Sequence, residues 1–231
     1  MFTEIKSTRI YEQVIDQIKE MVVTGKLRKG DKLPSERELT SKLGVSRSSI
    51  REAIRVLEVI GIVSCKQGDG NFIRTDFENI LFEPLSIMFL LNKSSEREIF
   101  ELRRVIEVET AGLAAKNITI KQLQEIRLIL DDMEKTEDED LKIKLDKKFH
   151  YKIAKASNNF LIVTVLNTIS ELIDSFIKDA RAKILETRKE KNIIETHHEE
   201  IYDGLVNRDS KKCSEAMRKH MKMISECFIE E

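Results

Sequence analysis

The sequence predicts a mainly α fold, and three observations carry that expectation. Only two prolines and eight glycines stand against 35% charged residues in 231, a thin supply of turn formers for a strand-rich protein. From residue 77 onward apolar residues recur at helical spacing and do not alternate in twos. Ahead of that point a single segment, IVSCK and NFIR around QGDG, has the pattern of a β-hairpin. With 41% hydrophobic residues the chain can build a real core, and its length fits one large domain or two ordinary ones.

The first helix is expected after Ser7 or Thr8, either of which can cap it. Ile10, Val14, Ile18, Met21 and Val22 form its apolar side, and Gly25 stops it. In LPSERELTSKLGVS, Pro34 precedes Ser35, and Glu38 three residues later completes a capping box that opens a short second helix ending at Gly44. Ser46 can cap a third, RSSIREAIRVLEVI, with Ile50, Ala53, Ile54 and Leu57 on one face and Gly61 as its stop. Two short helices around a Leu-Gly-Val turn make a helix-turn-helix, and the hairpin after Gly61 supplies a wing flanked by Lys66 and Arg74.

The outward face of the third helix carries Arg47, Ser48, Ser49, Arg51 and Arg55, crowded toward its N-terminal end. Recognition helices present that end to base edges and phosphates; short hydroxyls permit close approach and arginine forks grip guanine or phosphate. A solvated face is the ordinary meaning of several arginines on an isolated helix. Here caps, turn, charge placement and wing agree. Charge is uneven in the same sense: residues 1–76 hold 14 Lys and Arg against 11 Asp and Glu, and the rest hold 26 against 30.

From Gly30 to Ile73, GDKLPSERELTSKLGVSRSSIREAIRVLEVIGIVSCKQGDGNFI resembles the DNA-binding domain of the GntR family of bacterial transcription regulators. The resemblance implies a winged helix-turn-helix over residues 1–76, with phosphate or base contacts from Arg37, Ser46, Arg47, Ser48, Ser49 and Arg51 and with Gly68 at the wing tip. Asp69 departs from the pattern, since many members place a basic or small residue there and phosphate repels an acid.

Residues 77–231 are expected to form an all-α bundle, with helices near 78–91, 96–116, 120–134, 139–156, 160–188, 191–206 and 210–229. Pro84 is expected to kink or split the first. Thr119 with Gln122 reads as another capping box, the acidic run EKTEDED as an exposed connection, and Ser157-Asn158-Asn159 as a break. Apolar runs such as LSIMFLL and FLIVTVL fall short of a membrane span, and MFTEIKSTR lacks a signal pattern, so a cytoplasmic setting is expected. Cys65, Cys213 and Cys227, without CxxC spacing, read as reduced core or partly buried residues.

In LDKKFHYKIA, Asp146 and His150 stand four apart along the edge of a stripe formed by Leu141, Leu145, Phe149 and Ile153. By itself such a pair is ordinarily a surface or helix-supporting contact. His198 and His220, however, are each eleven residues from the polar turn centred on Asp209. In an antiparallel helical hairpin, positions equidistant from the turn lie at one height, so both imidazoles can meet the first pair. One carboxylate and three imidazoles suit a divalent first-row metal such as Zn, Ni, Mn, Co or Fe.

The tracts ELRRVIEVETAGLAA, DKKFHYKIAKASNN, HEEIYDGLVNRD and AMRKHM resemble successive landmarks of the FCD domain, the effector-binding and dimerisation half of the FadR subfamily. That resemblance implies metal ligation by Asp146, His150, His198 and His220. His197 is a rival whose register against Ile201 favours His198. It also implies effector contacts from Arg103 and Asn159; an Arg103–Glu107 helix salt bridge and a turn-forming role for Asn159 are the local alternatives. The expected protein is a homodimeric regulator of a partly palindromic operator, controlled by a small organic acid, with repression the expected direction. Two alternatives stay open: a metal-dependent hydrolase delivered to nucleic acid, and a metal-free FCD regulator binding an acyl ligand.

Overall fold

The computed structural model describes residues 9–76, 80, 82–92, 95–172 and 193–226. The chain divides into two compact units, Met1–Ile80 and Leu81–Glu231.

The first unit contains α1 (Ile10–Val23), α2 (Glu36–Leu43), α3 (Arg47–Val59) and a two-stranded antiparallel hairpin, β1 (Val63–Lys66) and β2 (Gly70–Ile73), in which Val63 faces Ile73 and Lys66 faces Gly70. Local chemistry sets its boundaries. Ser35 Oγ accepts from the Glu38 amide while the Glu38 carboxylate accepts from the Ser35 amide, a closed capping box. Gly44 ends α2 in the left-handed region at φ 65°, where a Cβ is penalised. Ser46 Oγ accepts from Ser49 N at 3.1 Å and opens α3. By contrast α1 begins at Arg9 with no side-chain cap, and Ser7 and Thr8 lie outside the described residues. Val14, Ile18, Ile50, Leu57, Val63 and Ile73 are buried together, so α1, α3 and the hairpin share one core.

The second unit contains α4 (Phe82–Asn92), α5 (Glu96–Asn117), α6 (Ile120–Lys135), α7 (Glu139–Ala156), α8 (Phe160–Leu172), α9 (Ile193–Val206) and α10 (Ser210–Glu226). Capping boxes at Ser95/Glu98 and Thr119/Gln122 open α5 and α6, and Asp138 caps α7. Pro84 occupies the first turn of α4, where its missing N–H leaves no intrahelical bond unmade, and residues 78, 79 and 81 of the helix expected over 78–91 lie outside the described residues. The α8 and α10 expectations extend past Leu172 and Glu226 into positions outside the described residues, as does Cys227.

Helix α5 runs along the bundle against α7, α8, α9 and α10. Phe149, Ile153, Ile126, Met133, Ile201 and Leu205 are all at most 2% exposed and fill the centre. Leu141, expected in the α7 stripe, is 41% exposed because it lies in the first turn, before the helix enters the core. Cys213 is buried, whereas Cys65, on the hairpin, is exposed, contrary to its expected burial. Among the described residues no helix is long and apolar enough to cross a membrane.

Candidate DNA-binding surface and candidate metal centre

At the start of α3 three hydroxyls converge. Ser46 Oγ lies 2.8 Å from Ser48 Oγ and 2.9 Å from Ser49 Oγ, on the amide-rich end of the helix, where its dipole favours an anion. Arg47, the first residue of α3, and Arg37 on α2 are exposed. Arg51 is exposed too, but its Nε donates to Glu36 Oε2 at 2.8 Å, so this arginine also ties α3 to α2. That bond and the adjacent charge raise its pKa further above the ordinary arginine value. At the wing, Gly68 is exposed with φ 80° in the turn. Asp69 is paired: Lys32 Nζ donates to its Oδ1 at 3.2 Å. Lys32 and Lys66 also sit 5.4 and 5.0 Å from the Phe72 ring centroid, so the wing presents cations around its acid.

In the second unit the four residues anticipated as ligands come together. Asp146, His150, His198 and His220 are all buried, and one ligand atom from each lies within 4.8 Å of the others. Asp146 and His150 come from adjacent turns of α7, His198 from α9 and His220 from α10. The α9–α10 hairpin is pinned at its turn. Arg208, at φ 52°, donates from Nη2 to the Ile118 carbonyl at 2.7 Å, and the Asp209 carboxylate accepts from Lys212 N at 3.0 Å. A Cβ on Gly204 would stand 2.7 Å from the Cα of Cys213, so the two helices touch where one has no side chain. Positions 204 and 213 are nearly symmetric about the same turn as 198 and 220, and this close approach brings the two imidazole centroids to 4.7 Å.

The polar atoms of the cluster are arranged as donors to something. Both ring nitrogens of His220 and Nε2 of His150 are buried with no hydrogen-bond partner among the described residues. His198 Nε2 lies 3.2 Å from Asp146 Oδ1. Burial, then the neighbouring His198 and His150, push His220 well below the ordinary imidazole value, leaving a neutral ring with a lone pair. Burial opposes ionisation of Asp146, but the bond from His198 and the surrounding imidazoles outweigh it and hold the carboxyl far below its usual range. An anionic oxygen and three imidazoles, with orphaned nitrogens in a buried cluster, fit a divalent metal.

Arg103 and Asn159 are placed differently from each other. Arg103 is 3% exposed and its Nε donates to Glu107 Oε1. The other oxygen of Glu107 meets His150 Nδ1. Burial disfavours the Glu107 carboxylate, yet Arg103 and His150 overcome that cost and lower its pKa to about 2. Glu107 is thus a member of the centre that sequence reasoning reached only as the partner of Arg103. Its contact with His150 depends on how α5 packs against α7, which i, i+4 spacing does not report. Asn159 is exposed, and its Oδ1 accepts from Leu161 N at 3.1 Å and Ile162 N at 3.3 Å, so it starts α8. His197 is half-buried, its ring 6.1 Å from that of His220.

Beside the cluster opens a cavity of about 290 Å³ lined by Glu107, His150, Lys147, Tyr151, Asn167 and Ser170, among others. Asn159 does not line it.

Residues 10–73 match the family described as bacterial regulatory proteins, gntR family, and residues 98–223 match the FCD domain. The chain belongs to the GntR family. It is a DNA-binding transcription regulator of the GntR–FCD type. The HTH-type transcriptional regulator LutR of Bacillus subtilis (strain 168) is 32% identical over 203 residues, spanning 87% of this chain and 93% of its own. The putative L-lactate dehydrogenase operon regulatory protein of Escherichia coli (strain K12) is 29% identical over 220 residues, 94% of this chain and 85% of its own. Among solved structures, Streptococcus agalactiae GntR superposes with a TM-score of 0.71 at 29% identity, covering 94% of this chain and 99% of that one. These relatives are regulators by name, and the hydrolase alternative gives way to the regulator reading.

Proposed function

We propose that this GntR–FCD regulator senses a small organic acid at a divalent metal held by Asp146, His150, His198 and His220. The observation that carries the reading is the set of buried imidazole nitrogens without hydrogen-bond partners, gathered with a carboxylate beside a cavity. Four protein donors leave positions open on an ion that accepts five or six, and a carboxylate entering from the cavity could take them. Lys147 and Lys148 on the cavity wall favour an anion, and Tyr151, Asn167 and Ser170 supply hydrogen-bonding groups. One relative is named for an L-lactate dehydrogenase operon, which agrees with an effector of this size and charge.

The N-terminal unit then binds operator DNA through Arg37, Arg47, Arg51 and the hydroxyls of Ser46, Ser48 and Ser49, with the wing at Gly68 against the backbone. A homodimer would read a partly palindromic operator, and the effector would release it by favouring the arrangement of reading heads that fits DNA less well. The direction is repression.

The test combines metal analysis with a thermal-shift screen. Chelator-free protein should carry close to one divalent ion per chain, and a short hydroxy- or keto-carboxylate should raise its melting temperature only when that ion is present. The same acid should weaken operator binding in a gel-shift assay. Protein free of metal that is stabilised by a long acyl ligand would replace this reading with the metal-free one.

A further inference from the structure

Helix α5 carries two Arg–Glu pairs at the same i, i+4 spacing, and they differ in every other respect. Arg97–Glu101 is a surface pair, 3.1 Å apart with side chains 75% and 52% exposed. Arg103–Glu107 is almost fully enclosed, each side chain 4% exposed. Enclosing an ion pair carries a desolvation cost that helix support alone does not require, since the exposed pair supplies the same support. The second carboxylate oxygen of Glu107 shows what the enclosed pair is for: it meets Nδ1 of His150 on the neighbouring helix.

We infer that Glu107 is a positioning residue of the metal centre, fixing His150 in the tautomer that offers Nε2 to the ion, with Arg103 as its counter-charge and not a contact for the effector. The functional meaning rests on the metal reading above; the tautomer does not. An ionised carboxylate can only accept a hydrogen bond, so the imidazole proton facing it must sit on Nδ1. The remaining nitrogen, Nε2, then carries the lone pair. It is the His150 atom found buried without a hydrogen-bond partner among the described residues. A carboxylate behind a ligating imidazole also raises its basicity and holds its ring plane. Arg103 keeps Glu107 anionic in an enclosed site, and it is not among the described residues that line the cavity an effector would enter.

Long-range ¹H–¹⁵N correlation on full-length, histidine-labelled, chelator-treated protein tests the tautomer, with His150 assigned by its disappearance in His150→Ala. The expected result is the Nδ1–H form in the wild type, with Co(II), titrated by visible absorption, bound 10- to 100-fold more weakly by Glu107→Gln. Because a single change could leave Arg103 buried and uncompensated, the double variant Arg103→Met/Glu107→Leu is measured beside it, after circular dichroism establishes its fold. It should lose the fixed tautomer and bind Co(II) at least as weakly. Wild-type His150 in the Nε2–H form, or wild-type Co(II) affinity and spectrum in both variants, would overturn the role of Glu107. Failure of the wild type to take up Co(II) would instead sink the metal reading, and the tautomer spectrum would still decide for or against the Glu107–His150 contact.

Discussion

The two units handle their polar groups in opposite ways. In the N-terminal unit the candidate contacts, Arg37, Arg47, Ser46, Ser48 and Arg51, stand exposed on a scaffold whose core is wholly apolar. In the bundle, Asp146, His150, His198, His220, Arg103 and Glu107 lie within the fold itself. Water solvates the first set when DNA is absent, so apart from the Ser46 cap and the Arg51–Glu36 tie those side chains can be changed with little effect on stability. The second set is only partly satisfied by its own members, so the ion proposed above would link binding to folding there.

That contrast can be broken at several points. Phe149→Ala should have the largest effect, about 3–5 kcal/mol by urea unfolding, because the ring is fully buried and lies 4.5 Å from that of His198. Metal uptake should fall with it. A melt within error of the wild type would mean that the centre is not part of the core. Gly204→Ala should cost about 1–3 kcal/mol through overpacking against Cys213, read in the same assay. On the other side of the comparison, Arg47→Ala should weaken binding to a selected operator duplex by about 1–3 kcal/mol and leave the unfolding midpoint where it was; unchanged affinity would remove Arg47 from the interface. Ser46→Ala should do a little of both. Loss of the α3 cap costs about 1 kcal/mol of stability, and the hydroxyl cluster on the reading end is disrupted. The smallest effect is expected for Asp69→Asn. Its exposed pair with Lys32 contributes at most about 1 kcal/mol, but removing the acid should tighten DNA binding and steepen its salt dependence.

Legibility in the sequence followed the same division. The N-terminal unit is specified by signals a few residues long. Ser35 with Glu38, Gly44, Ser46 and Gly61 each set a boundary by local hydrogen bonding or a left-handed backbone, and the structure has all of them in place. In the bundle the capping boxes at Ser95 and Thr119 are equally local. The meeting of His198 with His220 was accessible because a helical hairpin converts distance from a turn into height. The Glu107–His150 contact was not, because it depends on the rotation of α5 against α7, and no spacing within either helix encodes that. Asn159 shows the local rule at work, its Oδ1 accepting from the first amides of α8. Leu141 and Cys65 were misplaced because apolar character predicts burial only where an element has already reached the core.

Gly204 sets a dimension as well as a contact. The distance between α9 and α10 is set at their point of touching by the absence of a methyl group, and His198 and His220 stand on those two helices further from the turn. The aperture offered to an ion is thus gauged away from the donors, by a residue with no donor atom. A side chain at this one position would push α9 from α10 and widen the group formed by Asp146, His150, His198 and His220 without altering any of its four members.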